Sequence, residues 1–107
     1  MTNKNVNNRE GYWYSQQEPQ LPKPVAQAWP GKMLWLQKLI RAEKKAESVA
    51  YKGMSTCRMC NQDNGHTEYA YKGWQWPSGY LHYIQEHNVR PSLAFEEFIA
   101  REGAVSL

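Results

Sequence analysis

Two cysteines and two histidines constrain this chain more than any other feature. Cys57 and Cys60 are its only cysteines, and two residues separate them in "STCRMCNQDNG". Of its three histidines, His82 and His87 share the stretch "HYIQEH", and 21 residues lie between Cys60 and His82. Zinc prefers a tetrahedral set of thiolate and imidazole ligands, and Cys2His2 is a standard structural combination. A tight turn over two residues aims both sulfurs at one point. About three to five residues between the histidines is the usual interval. With four, His87 falls one place beyond the ideal i,i+4 stack, which works if the helix ends there. Asn88 as a left-handed terminator and Pro91 beyond it supply that ending. A structural Zn2+ held by Cys57, Cys60, His82 and His87 is therefore expected, with His66 as an alternative metal ligand.

The stretch between the pairs has to bring the helix back over the cysteines. Asn61 to Gly65 is polar and turn-prone, and Asn64-Gly65 reads as the turn that opens a hairpin. Thr67 to Tyr71 and Trp74 to Trp76 read as two short strands joined at Lys72-Gly73. Pro77 and Ser78 can start the helix that carries the histidines. A last helix over 92–102 carries Leu93, Phe95, Phe98 and Ile99, with Gly103 at its end. The expected fold is α+β: a small zinc-stabilised ββα, zinc-finger-like unit over 55–90, with a long amphipathic helix before it and a C-terminal helix after it.

Upstream, Lys32 to Ala50 places Trp35, Leu36, Leu39, Ile40, Ala46 and Val49 at helical spacing. The reading is one amphipathic helix over 32–50, and one zinc-binding domain over 32–107. Residues 1–31 form a different kind of segment. The first nine are polar and expected to fray. Pro19, Pro22, Pro24 and Pro30 then forbid a long helix and favour an extended strap. Tyr12, Trp13, Tyr14 and Trp29 are costly to leave in water, so the strap should lie across the domain. A docking arm for a partner is the other reading of the same residues.

Charge divides the chain. The net charge is +3, but ten Lys/Arg and four Asp/Glu precede Asn61, whereas three and six follow Cys60. Lys38, Arg41, Lys44 and Lys45 cluster on the helix, where they could displace counterions from phosphates. Trp74, Tyr80 and Arg90 complete a candidate binding surface, because bases stack on aromatics beside cations. No apolar run approaches the ~18 residues of a membrane span. The first residues lack the apolar core of a signal peptide. A cytoplasmic protein is expected, where thiols stay reduced and a structural disulfide is disfavoured. A thioredoxin-like redox pair would need a strand-loop-helix context that this stretch lacks.

"GWQWPSGYLHYIQEHNVRPSLAFEEFI" with the knuckle before it resembles small uncharacterised bacterial and phage zinc-knuckle proteins. The matching residues are Cys57, Cys60, Asn64, Gly65, Glu68, Trp76, Pro77, His82, Tyr83, Ile84, His87, Val89, Pro91, Phe95 and Phe98. The resemblance covers about half the chain and implies a zinc-knuckle fold without assigning an activity. The expected function is a non-enzymatic binding module leaning to nucleic acid. A phage or bacterial accessory protein that binds a host protein, in the host cytoplasm, is the alternative. A metal-dependent nuclease is the third, from Asp63 to His66 with His87 and Asn88, or a zinc hydrolase using Glu68 or Glu86 as base.

Overall fold

The computed structural model describes residues 8–16 and 18–103. In chain order they form β1 (Asn8–Arg9), α1 (Lys32–Lys45), β2 (Glu47–Thr56), β3 (Asp63–Tyr71), β4 (Trp74–Pro77), α2 (Tyr80–His87) and α3 (Leu93–Glu102). The four strands make one sheet in the order β1-β4-β3-β2. The architecture is mixed α+β, with one sheet and three helices.

The β3–β4 hairpin forms where alternation and turn chemistry place it. Tyr71 pairs with Trp74 and Tyr69 with Trp76, antiparallel. Lys72 and Gly73 between them both take positive φ, 49° and 89°, which matches the right-handed twist of a two-residue hairpin. β3 begins earlier than expected, at Asp63. Asn64-Gly65 is thus not a free turn but lies within the strand, where its pairing with β2 is irregular. Gly65 has φ 141°, and a Cβ there would strike the Ser78 hydroxyl.

The long helix is shorter than its periodicity suggests. α1 buries Trp35, Leu36, Leu39 and Ala42 and stops at Lys45. Residues 47–50 leave it and pair with β3, from Glu47↔Ala70 to Ala50↔Thr67. Ser48 and the β-branched Val49 are weak helix formers, so a ladder with an existing strand overrides the helical spacing. Val49, expected in the core, is 67% exposed. Ile40 is 41% exposed and likewise lies outside the core.

One face of the sheet packs on α1 and α3. Trp76, Tyr80 and Phe95 are fully buried. Phe95 is the hub, with ring centroids 5.1 Å from Trp74, 5.2 Å from Trp76, 5.9 Å from Tyr80 and 6.0 Å from Trp35. α3 starts on Ser92, whose Oγ accepts from Phe95 N at 3.2 Å, a standard N-cap. It ends at Gly103 against α1, where any Cβ would collide with the Lys38 backbone.

The strap lies across the domain. Asn8 and Arg9 pair parallel with Trp74 and Gln75, so these two are strand rather than frayed end; residues 1–7 lie outside the described residues. The Glu10 carboxylate accepts from Tyr80 Oη and Ser92 N, both at 2.8 Å, and from Ser92 Oγ at 3.0 Å. It thus clamps the strap to the start of α3. Trp13 packs edge-on against Tyr80 and Tyr83, and Trp29 is buried against Trp35. Ala26 bridges Val89.

Glu43 is the one acid of α1, and it faces the sheet. Trp76 Nε1 donates to its Oε2 at 3.0 Å. Burial raises its carboxyl to about 7, against the lowering effect of that hydrogen bond. The folded state then binds the proton more tightly than the unfolded chain between the ordinary carboxyl range and pH 7. Stability from this group is complete below about pH 4.5 and falls as pH rises through 7, by on the order of 3 kcal/mol. Glu43→Gln keeps an acceptor for Trp76 and cannot ionise. Urea melts at pH 5 and pH 8 are expected to show the wild type losing more stability across this range than Glu43→Gln. Equal losses would refute the assignment.

Candidate metal centre

The β2–β3 connection is a knuckle made by local backbone bonds. Cys57 N donates to Gln62 O at 2.8 Å and Asn61 N to Cys57 O at 2.9 Å. Asn61 makes the reversal in the left-handed region at φ 63°, which asparagine tolerates. Met59 N lies 3.4 Å from Cys57 Sγ, a donor placed to stabilise a thiolate. Cys57 is fully buried and Cys60 stands at the surface.

α2 supplies the other half. It ends at His87, with Asn88 at φ 55° as its left-handed terminator and Val89 N donating to Tyr83 O at 3.2 Å. That unwinding lets His82 and His87 converge despite their i,i+5 spacing, with ring centroids 5.0 Å apart. Tyr83 fastens the two halves, because its hydroxyl accepts from Arg58 N at 2.7 Å. Burial raises the Tyr83 hydroxyl above its usual range, and the neighbouring Cys57 adds to this while the bond from Arg58 N opposes it.

The result is a group of four potential ligand atoms, one each from Cys57, Cys60, His82 and His87, all within 4.8 Å of one another. Cys60 Sγ and His82 Nε2 are 3.4 Å apart. Bonds of the usual zinc lengths would set such ligand atoms roughly 3.3–3.8 Å apart, so small adjustments would close the tetrahedron. His87 Nε2 is buried and has no hydrogen-bond partner among the described residues. A buried imidazole nitrogen in that state is what a metal ligand needs. The four residues lie close enough to bind a metal ion. A surface cleft of about 390 Å³ beside Cys60, His82 and His87 also touches Gln62 and Glu86.

His66, the alternative ligand, is not in this group. It stands exposed on β3, because the knuckle folds the cysteines toward α2. The candidate binding surface is also redrawn. Tyr80 is fully buried and Trp74 stacks on Phe98 at 5.5 Å, since apolar rings fill the space between sheet and α3. Tyr80 offers no face for stacking, and one face of Trp74 is taken by Phe98. Arg41 Nε donates to Gly103 O at 2.7 Å and Lys45 Nζ to Glu102 O at 3.4 Å, so both cap the C-terminus of α3. Arg90 pairs with Glu96 at 3.2 Å and lies over the Trp29 ring. Lys38 is half-buried and Lys44 exposed. Sequence reasoning has Tyr83 covering the metal site and seating the helix but misses its bond to Arg58 N and the Glu10 clamp.

Compared with known proteins, the chain matches no protein-family model, no curated protein and no solved structure.

Removing a ligand should be felt far more than removing the bystander. Cys57→Ala or His87→Ala is expected to lower Zn2+ affinity by more than about a hundredfold, and Tyr83→Phe by roughly tenfold, in line with the weight of ligand-orienting groups. His66→Ala should bind as the wild type does. Competition against a chromogenic chelator measures all four, and a large loss in His66→Ala would reassign the site.

Proposed function

We propose that the chain is a non-enzymatic binding module stapled by a structural zinc ion, and that its partner is a protein carrying an acidic, apolar segment. The gathering of Cys57, Cys60, His82 and His87 within 4.8 Å carries the first part. Mixed thiolate and imidazole donors suit zinc, and four protein ligands fill its tetrahedron without an open position. The ion's binding free energy would then count as folding free energy. A reducing, cytoplasmic setting suits the thiolates. The resemblance to bacterial and phage zinc-knuckle proteins agrees with this reading, as does an accessory protein acting on a host partner.

The outward face of α1 supports the second part. Met33 is 65% and Leu34 68% exposed, and Ile40, seven residues after Met33 and so on its side of the helix, is 41% exposed. Lys38, Arg41, Lys44 and Lys45 follow along the helix. An apolar stripe flanked by cations complements an amphipathic partner of opposite charge. Nucleic acid is the second reading. Among the described residues, the ion pairs Lys72–Glu102, Arg90–Glu96 and Arg101–Glu102 take no cation of α1, and with Arg41 and Lys45 donating to α3 carbonyls, Lys38 and Lys44 are left to meet phosphates.

Affinity capture from nuclease-treated lysate, followed by binding of the identified partner in purified form, tests the choice. Leu34→Asp with Ile40→Asp is expected to abolish that binding while zinc content and melting temperature stay unchanged. Undiminished binding by the double variant would sink the α1 reading. Retention that vanishes with nuclease and weakens steeply with salt would establish nucleic acid instead.

A further inference from the structure

A second cleft, of about 250 Å³, lies between the strap and the knuckle. Tyr12, Trp13 and Tyr83 give it aromatic walls, and β3 contributes Asn64 and Glu68. Four polar atoms of these lining residues are buried and have no hydrogen-bond partner among the described residues: Oδ1 and Nδ2 of Asn64, Nε1 of Trp13 and Oη of Tyr12. Buried polar atoms in folded proteins are almost always hydrogen-bonded, so this cluster requires an account.

The surroundings are built to keep the Asn64 amide there. A Cβ on Gly79 would lie 2.7 Å from Asn64 Cγ and Oδ1, so only glycine at that position leaves room for the amide. The neighbouring groups are already occupied. Glu68 Oε1 accepts from Gln75 Nε2 at 2.6 Å. Arg58 donates to Tyr14 O at 3.0 Å and to Thr56 O. Glu18 and Glu68 against one engaged guanidinium make the cleft unfavourable for an anion. Ser15, Glu18 and Leu21 of the strap line its outer side, with Glu18 N donating to Ser15 O and Leu21 N to Glu18 O.

We propose that this cleft binds one uncharged planar heterocycle of the nucleobase type, with Asn64 pairing to its edge and the aromatic walls against its faces. An asparagine amide sets one donor beside one acceptor, which is how it reads the matching edge of adenine. Aromatic side chains supply the stacking surface that every base accepts. Trp13 Nε1 adds a second donor. A peptide amide would match Asn64 but would leave the three aromatic walls without a ring to cover. The proposal is independent of the zinc assignment and of the α1 partner.

The test titrates isotope-labelled, zinc-loaded protein with adenosine, guanosine, cytidine and uridine, following the Asn64 side-chain amide and the Trp13 indole N–H by NMR. Saturable shifts of both signals with at least one nucleoside are expected. Asn64→Leu should weaken that binding by about tenfold or more, at unchanged zinc content and melting temperature. If Asn64→Leu fails to fold, Trp13→Phe keeps a ring, removes the N–H, and should also weaken binding. No saturable shift with any of the four overturns the proposal, as does undiminished affinity in whichever variant folds. Shifts with N-acetylglycinamide alone would make this a peptide-amide cleft and overturn it too.

Discussion

Two sulfurs from a strand connection and two imidazoles from the end of a helix come within 4.8 Å of one another, and several backbone features of this structure serve that convergence. The knuckle reverses at Asn61, the hairpin returns the chain, and α2 unwinds at Asn88. Each is a local backbone solution to the same geometric demand. The Tyr83–Arg58 bond holds the halves together through protein alone, so a metal would enter a partly organised site. Preorganisation of this kind reduces the ordering cost of binding.

Around this centre the aromatic side chains divide into two populations. Trp74, Trp76, Tyr80 and Phe95 fill the space between sheet and α3. Tyr12 and Trp13 come from the strap itself, and Trp13 packs edge-on against Tyr80 and Tyr83. A chain this small buries limited apolar surface, and large rings supply much of it per residue. The demand for core takes Trp76 and Tyr80 wholly and one face of Trp74.

The sequence was legible where a single local rule dominated. Ligand spacing placed Cys57, Cys60, His82 and His87, turn chemistry placed Lys72-Gly73, and Ser92 and Gly103 bounded α3. It was illegible where two rules competed. Residues 46–50 satisfy a helical repeat, but the ladder with β3 outweighs it, and only the tertiary context decides. Surface and core tryptophans look alike in sequence, so Trp74 and Tyr80 read as binding residues. His66 is chemically a ligand and only the direction of the knuckle removes it. The Glu10 clamp joins residues far apart in the chain and leaves no local pattern to find.

The parallel pairing of β1 with β4 has a consequence for how the chain assembles. Asn8 meets Trp74, so the strand at the sheet's edge waits for a partner that lies more than half the chain downstream. Closing so long a loop is a late and slow event compared with hairpin formation. The tryptophans of the strap, Trp13 and Trp29, therefore find their places only once the distant partners they pack on, Tyr80, Tyr83 and Trp35, are set.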